Sequence, residues 1–338
     1  MLTEIIVEIG NSHEGSLGIA KSFVDIAKEA GANVVKFQMH LAEEESSSEE
    51  PFRINFSSQD KSRTSYWQRV NFSPEHWYDL AEYCRNAGLE FLCTPFSLEA
   101  ARFLIEDLDV KRIKIGSGDA MNYPLIDFVI KSGREVIIST GLVNQLELSS
   151  LVERFKEKST LDVLTLLHCV SMYPTPLAWS SLNQIVELKK LGCKVGLSDH
   201  SGNVMVPLAF ISEGVSLIEV HMTPHRSFFG PDVASSLLPE EIKTLIDFSK
   251  TYNALVSNSR TRDEIFNESI NTAQIFRKGT YWRNDLRAGH IIEFSDLKFL
   301  KPLNDFDANS YEELIGCKLI SSVLAGTSVV KGQISEKK

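Results

Sequence analysis

Short apolar runs with strand character recur along the first three quarters of the chain, and helical patterns separate them. The spacing predicts helices at residues 17–30, before a stop glycine, at 74–88 after a Ser-Pro start, and at 239–256. Eight strands alternating with helices over about 250 residues predict an α/β fold, a closed (β/α)8 TIM barrel. A doubly wound open sheet is the alternative, but no glycine-rich dinucleotide motif is present, which favours closure. The predicted strands are residues 5–10, 33–38, 90–96, 112–118, 135–141, 163–169, 194–200 and 217–223.

Nearly every predicted strand ends in a polar side chain that is capable of chemistry. Taken alone, each is more simply a polar strand end in contact with water. TIM-barrel enzymes, however, assemble their active sites from the carboxyl ends of several strands, so the whole pattern predicts an active site there. These side chains belong to Glu8, Lys36, Gln38, Thr94, Lys114, Ser117, Ser139, Tyr173, His200 and His221.

Residues 196–223 place one histidine at the end of each of two consecutive strands. His200 shares a strand face with Gly196 and Ser198, and His221 shares one with Glu219, because alternate residues point the same way. Parallel strands joined by a helix have adjacent carboxyl ends, so the two imidazoles could bind a divalent metal. Two unrelated, hydrogen-bonded histidines near the surface are the other interpretation, and these residues alone leave both open.

Residues 39–72 form an unusually long connection after the second predicted strand. Connections of this length are typically functional or disordered, so we expect a substrate-side lid or an ordered excursion over the barrel mouth. Its acidic stretch, EEESSSEE, is expected to be a solvated surface.

The pattern changes after residue 256. Residues 257–275 are polar and helix-like and are predicted to be a linker. Residues 276–338 contain short strand-like pieces and turns, which predict a small β-rich domain. A domain of this size is marginal alone, so we expect it to dock on the barrel domain, residues 1–256, or on a partner.

Composition and charge exclude several classes of function. The 338 residues are 43% hydrophobic, and their net charge of −10 argues against a nucleic-acid or membrane-surface partner. An anionic small molecule stays possible, because a few pocket lysines set the local potential. Five scattered cysteines, of which Cys93, Cys169 and Cys193 lie in or beside apolar runs, indicate reduced packing residues. With no signal peptide or membrane-length apolar run in the sequence, we expect a cytoplasmic protein.

A series of phrases, taken together, resembles the sialic acid synthase family, and the tail resembles that family's antifreeze-like (SAF) domain. That family condenses phosphoenolpyruvate (PEP) with an N-acetylated hexose such as N-acetylmannosamine. The products are a sialic-type nonulosonic acid and phosphate, so the resemblance implies an N-acetylneuraminate synthase-type transferase. The phrases, in order, are EIGNSHEGSLGIAK, AGANVVKFQMH, FLCTPFSLEAA, KIGSGDAMNYPLI, IISTGL, LLHCVSMYPTP, VGLSDHSG, EVHMT and FGPD.

The resemblance also implies roles for the matching positions. His200 and His221 would bind Mn²⁺ or Mg²⁺, and Lys278 would reach into the partner's site in a domain-swapped homodimer. Catalytic roles fall on Glu8, Lys36, Lys114 and Asp119. PEP contacts fall on Lys36, Thr94, Lys114, Ser117, Ser139, Ser171 and Ser198. Sugar contacts fall on Gln38, Tyr173, Asp232 and Lys278.

The implied mechanism is attack of PEP C3 on the open-chain sugar aldehyde, which the metal polarises. Water then adds at C2 and phosphate leaves. Glu8 would orient or deprotonate that water, or else support a metal ligand. Glu219 receives no role from the resemblance; its place beside His221 suggests that it supports this ligand.

Three positions depart from the family's usual phrases. Asp119 replaces a glutamate, Ser171 an asparagine and Ser12 an asparagine. None of these positions is an expected metal ligand or lysine, so we expect the reaction itself to be unchanged. The identity of the acceptor sugar is left undecided, and precursors of the legionaminic and pseudaminic type are alternatives. Two other functions are alternatives: a PEP synthase for a phosphorylated aldose and a non-catalytic sugar-binding protein. The FGPD phrase and tail count against the first, and the complete polar rim counts against the second.

Overall fold

The structure is a computed structural model that describes residues 2–54 and 56–335. Residue 1 and residues 336–338, the outer limits of the predicted domains, lie outside the described residues, as does residue 55 of the long connection. The chain divides into two compact units between Ser257 and Asn258. The segment expected as a linker holds two helices and, from Asn258 onward, belongs to the second unit.

The first unit is an eight-stranded parallel sheet whose strands alternate with helices. The strand order is β3-β2-β1-β8-β7-β6-β5-β4, and the end strands β3 and β4 lie side by side, as barrel closure requires. The predicted (β/α)8 barrel is confirmed, and all eight predicted strands are present with small shifts at their ends. The strands are β1 Glu4–Gly10, β2 Val34–Met39, β3 Glu90–Pro95, β4 Arg112–Ile115, β5 Glu135–Ser139, β6 Leu164–Cys169, β7 Lys194–Asp199 and β8 Leu217–His221.

Local signals set the helix limits of this unit. The Ser73 hydroxyl accepts a hydrogen bond from the backbone N of His76, Pro74 is the first residue of α4, and Gly88 ends it with φ of 80°. This predicted helix is confirmed. The helices are α1 Leu17–Glu29, α2 Ala42–Glu45, α3 Arg63–Val70, α4 Pro74–Ala87, α5 Leu98–Arg102, α6 Tyr123–Lys131, α7 Gln145–Glu157, α8 Asn183–Lys189, α9 Met205–Ser212 and α10 Pro239–Ser257.

On six of the eight strands, the inward side chains change from an apolar layer to a chemically active one at the next inward position. Because inward side chains recur at every second position, the residues two steps later also point inward and form a polar layer above the apolar one. This alternation places chemically active groups at the carboxyl end. The apolar layer consists of Ile6, Val34, Leu92, Ile137, Leu167 and Leu217. The polar layer consists of Glu8, Lys36, Thr94, Ser139, Cys169 and Glu219.

The long connection after β2 is ordered by its own small core. Ala42, Tyr66, Trp67 and Val70 pack together and are buried, so the expected ordered excursion is confirmed. The expectation of a solvated acidic stretch was wrong for two of its glutamates. Glu45 and Glu50 turn inward, because they hydrogen-bond to the ring nitrogens of His40 and Trp67, whereas Glu43, Glu44 and Glu49 are exposed.

The second unit contains α11 Arg262–Glu268, α12 Ile270–Phe276, β9 Gly279–Trp282, β10 Leu297–Leu300 and α13 Tyr311–Leu314. Strands β9 and β10 pair antiparallel, and single bridges such as Leu286↔Val323 extend the β structure. Trp282 is fully buried at the centre of its small apolar core. Within residues 2–54 and 56–335, no helix is both long enough and apolar enough to cross a membrane.

Candidate active site

One cavity of about 400 Å³ opens at the carboxyl end of the barrel. It gathers residues from all eight strands or the loops that follow them, which is the arrangement that the strand-end pattern predicted. Thirteen of the fifteen candidate residues line it: Glu8, Lys36, Gln38, Thr94, Lys114, Ser117, Ser139, Ser171, Tyr173, Ser198, His200, His221 and Asp232.

The two remaining candidates are not among the residues that line this cavity. Asp119 ends the short turn Ser117–Asp119, where its Oδ1 accepts a hydrogen bond of 3.0 Å from Asn122, and it does not line the cavity. Lys278 belongs to the second unit. A catalytic role for Asp119 and a sugar contact by Lys278 therefore stay predictions.

Two lysines and two glutamates form a buried charge cluster at the floor of the cavity. Lys36 Nζ lies 2.5 Å from Oε2 of Glu8 and 3.6 Å from Oε2 of Glu219. Lys114 Nζ lies 3.7 Å from Oε1 of the same Glu219. The four formal charges cancel, which is what makes their burial tolerable.

The cluster separates the pKa values of its members. Burial would lower the pKa of Lys36, but Glu219 and Glu8 outweigh it, so the pKa lies above its ordinary value. For Lys114 burial dominates, and its pKa lies below the ordinary value. Burial would raise the pKa of Glu219, yet Lys114 and Lys36 hold it well below its usual range. The low pKa keeps Glu219 a carboxylate, so the lysines share a fixed negative charge.

Hydroxyl groups from neighbouring strands complete the polar floor. Lys36 donates to Thr94 Oγ1 at 3.0 Å, and Lys114 donates to Ser139 Oγ at 2.8 Å. Ser198 donates to Oε1 of Glu219 at 3.1 Å. These contacts hold both ammonium groups toward the cavity, where an anionic substrate could accept from them.

His200 and His221 lie together at the rim, with their ring centroids 5.3 Å apart. His200 Nδ1 lies 3.2 Å from the carbonyl oxygen of Val170, which can only accept, so Nδ1 carries the hydrogen and Nε2 keeps its lone pair. Burial, assisted by His221, lowers the pKa of His200 to about 3, so its imidazole is neutral at physiological pH.

This donor set fits a divalent cation that keeps most of its positions for other oxygens. A metal-binding histidine commonly donates its second nitrogen to a backbone carbonyl, as His200 does. Among the described residues, no group of three or more His, Cys, Asp or Glu could enclose a metal ion. Two imidazoles could hold a divalent cation only together with further ligands, such as oxygens of substrate and water.

The long connection forms the opposite wall of the cavity. Arg53 Nη2 lies 2.7 Å from Oδ1 of Asp232, and the Arg53 guanidinium lies 4.0 Å from the ring centroid of Tyr173. Arg63 pairs with Glu50 at 3.4 Å. Both arginines of this wall thus already have carboxylate partners.

Several cavity residues were missing from the sequence-based set. His40 lines the cavity, and strand alternation could have found it, because it continues the inward line of Lys36 and Gln38. Glu45 and Arg53 come from the long connection, where no periodic pattern marks them. Cys169, expected only as a packing residue, also lines the cavity, and burial raises the pKa of its thiol.

Comparison with known proteins identifies the group to which the chain is related. N,N'-diacetyllegionaminic acid synthase of Campylobacter jejuni is 30% identical over 320 residues, which cover 93% of this chain and 95% of that protein. Pseudaminic acid synthase of the same organism is 28% identical, over 97% and 95% of the two chains. The solved structure of N-acetylneuraminic acid (sialic acid) synthetase from Leptospira borgpetersenii in complex with citrate matches with a TM-score of 0.69 and 28% identity. It covers 80% of this chain and 91% of that one.

The sequence profile of the NeuB family matches residues 23–261, most of the barrel unit and the whole polar rim except β1. Relatives at 30% identity extend the match over nearly the full length. The predicted relationship to sialic acid synthases is thus confirmed: the chain belongs to the NeuB family.

Proposed function

We propose that this protein is a transferase that condenses PEP with an N-acetylated hexose, giving a nonulosonic acid and phosphate. The observation that carries the proposal is the buried pair Lys36 and Lys114, held by Thr94 and Ser139 at the floor of a barrel-end cavity. A phosphorylated carboxylate needs fixed cations and hydroxyl donors, and this floor provides both. Relatives named for legionaminic and pseudaminic acid synthesis support the product class.

PEP would occupy the floor of the cavity. Lys36, Lys114 and the hydroxyls of Ser117 and Ser139 would bind its phosphate and carboxylate, and Ser171 would bind at the edge. Since Glu8 and Glu219 already neutralise the lysines, additional positive charge is needed to hold PEP tightly. A divalent cation held by His200 and His221 would provide it and would polarise the acceptor carbonyl.

The acceptor hexose would bind between this floor and the long connection. Gln38, Tyr173 and Asp232 line that part of the cavity and can hydrogen-bond to hydroxyl and N-acetyl groups. Carbon C3 of PEP would then attack the aldehyde carbon of the open-chain sugar. The aldehyde oxygen gains a proton and becomes a hydroxyl, while water adds at the electron-poor C2 and gives up a proton. The resulting C2 hydroxyl collapses to the ketone, the bond between C2 and the bridging oxygen breaks, and inorganic phosphate leaves with that oxygen.

Glu8 is one of the carboxylates that line the cavity floor. Its Oε2 is paired with Lys36 and its Oε1 accepts from Gln38, so it is held rigidly on the cavity floor. In this position Glu8 can orient the attacking water or accept its proton.

The charge of the cavity wall that the long connection forms favours an acceptor without a phosphate group. Arg53 and Arg63 are each paired with a carboxylate, so a sugar phosphate would compete with Asp232 and Glu50. We therefore favour neutral acceptors, namely N-acetylmannosamine or a diacetylated precursor of the legionaminic or pseudaminic type.

We propose that the chain consists of a barrel domain 1–256, a linker 257–275 and an SAF domain 276–338. Two such chains would form a domain-swapped homodimer in the cytoplasm, with Lys278 reaching the partner's cavity. Deletion of residues 276–338 should then abolish turnover, and a fully active truncated barrel would reject this arrangement.

The function is tested by phosphate release from PEP in the presence of Mn²⁺ and a panel of N-acetylated hexoses. Release should require both PEP and one of these sugars. Absence of release with every sugar, from folded protein, would reject the proposal.

A further inference from the structure

His40 is enclosed between two aromatic rings at the edge of the cavity. Its ring stacks on Trp67 at a centroid distance of 3.6 Å and on Phe96 at 4.1 Å, nearly parallel to both. The side chain is 2% exposed. Such stacking fixes the ring plane, so the two nitrogens can face only their present partners.

The Nε2 atom of His40 faces Gln38, whose amide orientation is determined by its other partners. Gln38 Nε2 donates to Oε1 of Glu8 at 2.7 Å, because the Glu8 carboxylate, whose Oε2 pairs with Lys36, can only accept. Gln38 Oε1 accepts from Asn11 Nδ2 at 3.2 Å and lies 3.2 Å from His40 Nε2. Since Oε1 can only accept, His40 must carry its hydrogen on Nε2.

The Nδ1 atom of His40 faces Glu45, with both carboxyl oxygens at 2.8 Å. With Nε2–H fixed, one further proton lies between Nδ1 and Glu45. Burial lowers the pKa of His40 well below its ordinary value and raises the pKa of Glu45 to about 9. Both directions favour a neutral imidazole that accepts from a protonated Glu45.

We propose that His40 and Glu45 are a positioning pair, which fixes the amide of Gln38 and through it the Glu8 carboxylate that faces the reacting atoms. This inference rests on the proposed function, because it assigns the pair a part in the same reaction. Neither residue needs to touch substrate: the pair acts by supplying a donor at Nε2 that keeps the Gln38 amide nitrogen directed at Glu8.

The arrangement has a consequence at alkaline pH. When the pair loses its shared proton, the remaining imidazole hydrogen moves to Nδ1 to meet the Glu45 carboxylate. Bare Nε2 then opposes Gln38 Oε1, and the amide loses its anchor. The charged groups that act on Glu45 are Glu50 and Asp119, which favour the proton, and Arg63, which opposes it; Arg63 and His13 act on His40.

Three variants separate hydrogen bonding from packing. His40→Phe keeps the aromatic stack but removes both nitrogens, and we expect kcat to fall roughly 10- to 100-fold, the range for removing a supporting partner of a site ligand. The Michaelis constant for PEP should change less than kcat, because Lys114 and its partner Ser139 are untouched. His40→Gln, which can donate from the position of Nε2, should restore most of kcat. The control His76→Phe, at an exposed position of α4, should leave the kinetics unchanged.

Glu45→Gln tests the proton. Its amide can donate to Nδ1 at every pH, so activity should match the wild type near pH 7. The decline that we expect of the wild type as pH rises through about 9 should be absent or displaced upward. Equal kcat in His40→Phe and the wild type would overturn the proposal, as would identical alkaline limbs in Glu45→Gln and the wild type.

A measurement without turnover distinguishes this inference from the function itself. The ¹⁵N shifts of the His40 ring in the full-length protein, assigned by their loss in His40→Phe, should report hydrogen on Nε2 and an accepting Nδ1. Hydrogen on Nδ1 alone would overturn the positioning pair, whatever the activity. A wild type without turnover but with the expected tautomer would instead reject the proposed function.

Discussion

Glu219 Oε1 lies 3.7 Å from Nζ of Lys114, and both side chains are buried at the centre of the barrel end. The second oxygen of Glu219 faces Lys36 at 3.6 Å, so one carboxylate serves two lysines. In this position Glu219 balances the charges of both lysines, and its expected support of His221 stays a prediction.

Removing that charge should destabilise the protein. In Glu219→Gln, two buried lysines face a neutral amide, and breaking a buried ion pair costs about 3–5 kcal/mol. We expect a loss of about 3 kcal/mol in the free energy of unfolding by urea at pH 7, and a larger stabilisation by PEP than in the wild type. Glu43→Gln, on the exposed face of α2, is the control. An unchanged unfolding midpoint in Glu219→Gln would contradict the balancing role.

The proposed metal ligands make a second prediction. His200→Ala and His221→Ala should each weaken Mn²⁺ binding by at least 10-fold, because a lost ligand costs no less than a lost supporting partner. Calorimetric titration of Mn²⁺ in the presence of PEP measures this. His225→Ala removes an exposed histidine from the loop after β8 and should bind Mn²⁺ as the wild type does. Unaltered Mn²⁺ affinity and metal-dependent activity in both variants would place the metal elsewhere.

The close packing around Gly141 leads to a third prediction. A Cβ there would lie 2.4 Å from Ser171 Oγ, 3.0 Å from Cys169 Sγ and 3.1 Å from Ser117 Oγ. Gly141→Ala should therefore displace two hydroxyls that are proposed to bind PEP, and should raise the Michaelis constant for PEP about 10-fold, equivalent to about 1.4 kcal/mol. Gly332→Ala, where a Cβ meets nothing within 4 Å, is the matched control. Wild-type PEP kinetics in Gly141→Ala would show that these hydroxyls are not needed for PEP.

The opposite end of the barrel should affect stability without affecting chemistry. Arg112 binds Glu90 through Nε and Nη2, and Glu4 through Nη1, which joins β4, β3 and β1 at the amino end. Arg112→Ala should lower the free energy of unfolding by about 2 kcal/mol, the size of a hydrogen bond to a charged group. The kcat and Michaelis constants should stay at wild-type values. A change in kcat with unchanged stability would contradict this division between the two ends.

The parts that could be predicted from sequence are those that follow a short period. Strand alternation placed Glu8, Lys36 and His221 on the inner face, and the register then puts Glu8 beside both Lys36 and His221. Arg53 and Glu45 could not be placed in this way. They reach the cavity because Tyr66 and Trp67 anchor the long connection through tertiary packing, which leaves no local pattern.

The family resemblance predicted which residues line the cavity more accurately at the strand ends than in the short turn after β4. Ser117 and Asp119 lie in one short turn, but only Ser117 lines the cavity, since Asp119 instead accepts from Asn122. A turn rotates successive side chains through different directions, so a difference of two residues decides which one faces a ligand.

The proposed condensation is tested by the mass of the product formed from PEP, Mn²⁺ and a panel of N-acetylated hexoses. We expect a nonulosonic acid with three carbons more than the acceptor, formed in equal amount to the phosphate released. The Lys36→Met and Lys114→Met variants should not form it. Folded wild-type protein that forms no such acid from any acceptor in the panel would contradict the proposed condensation.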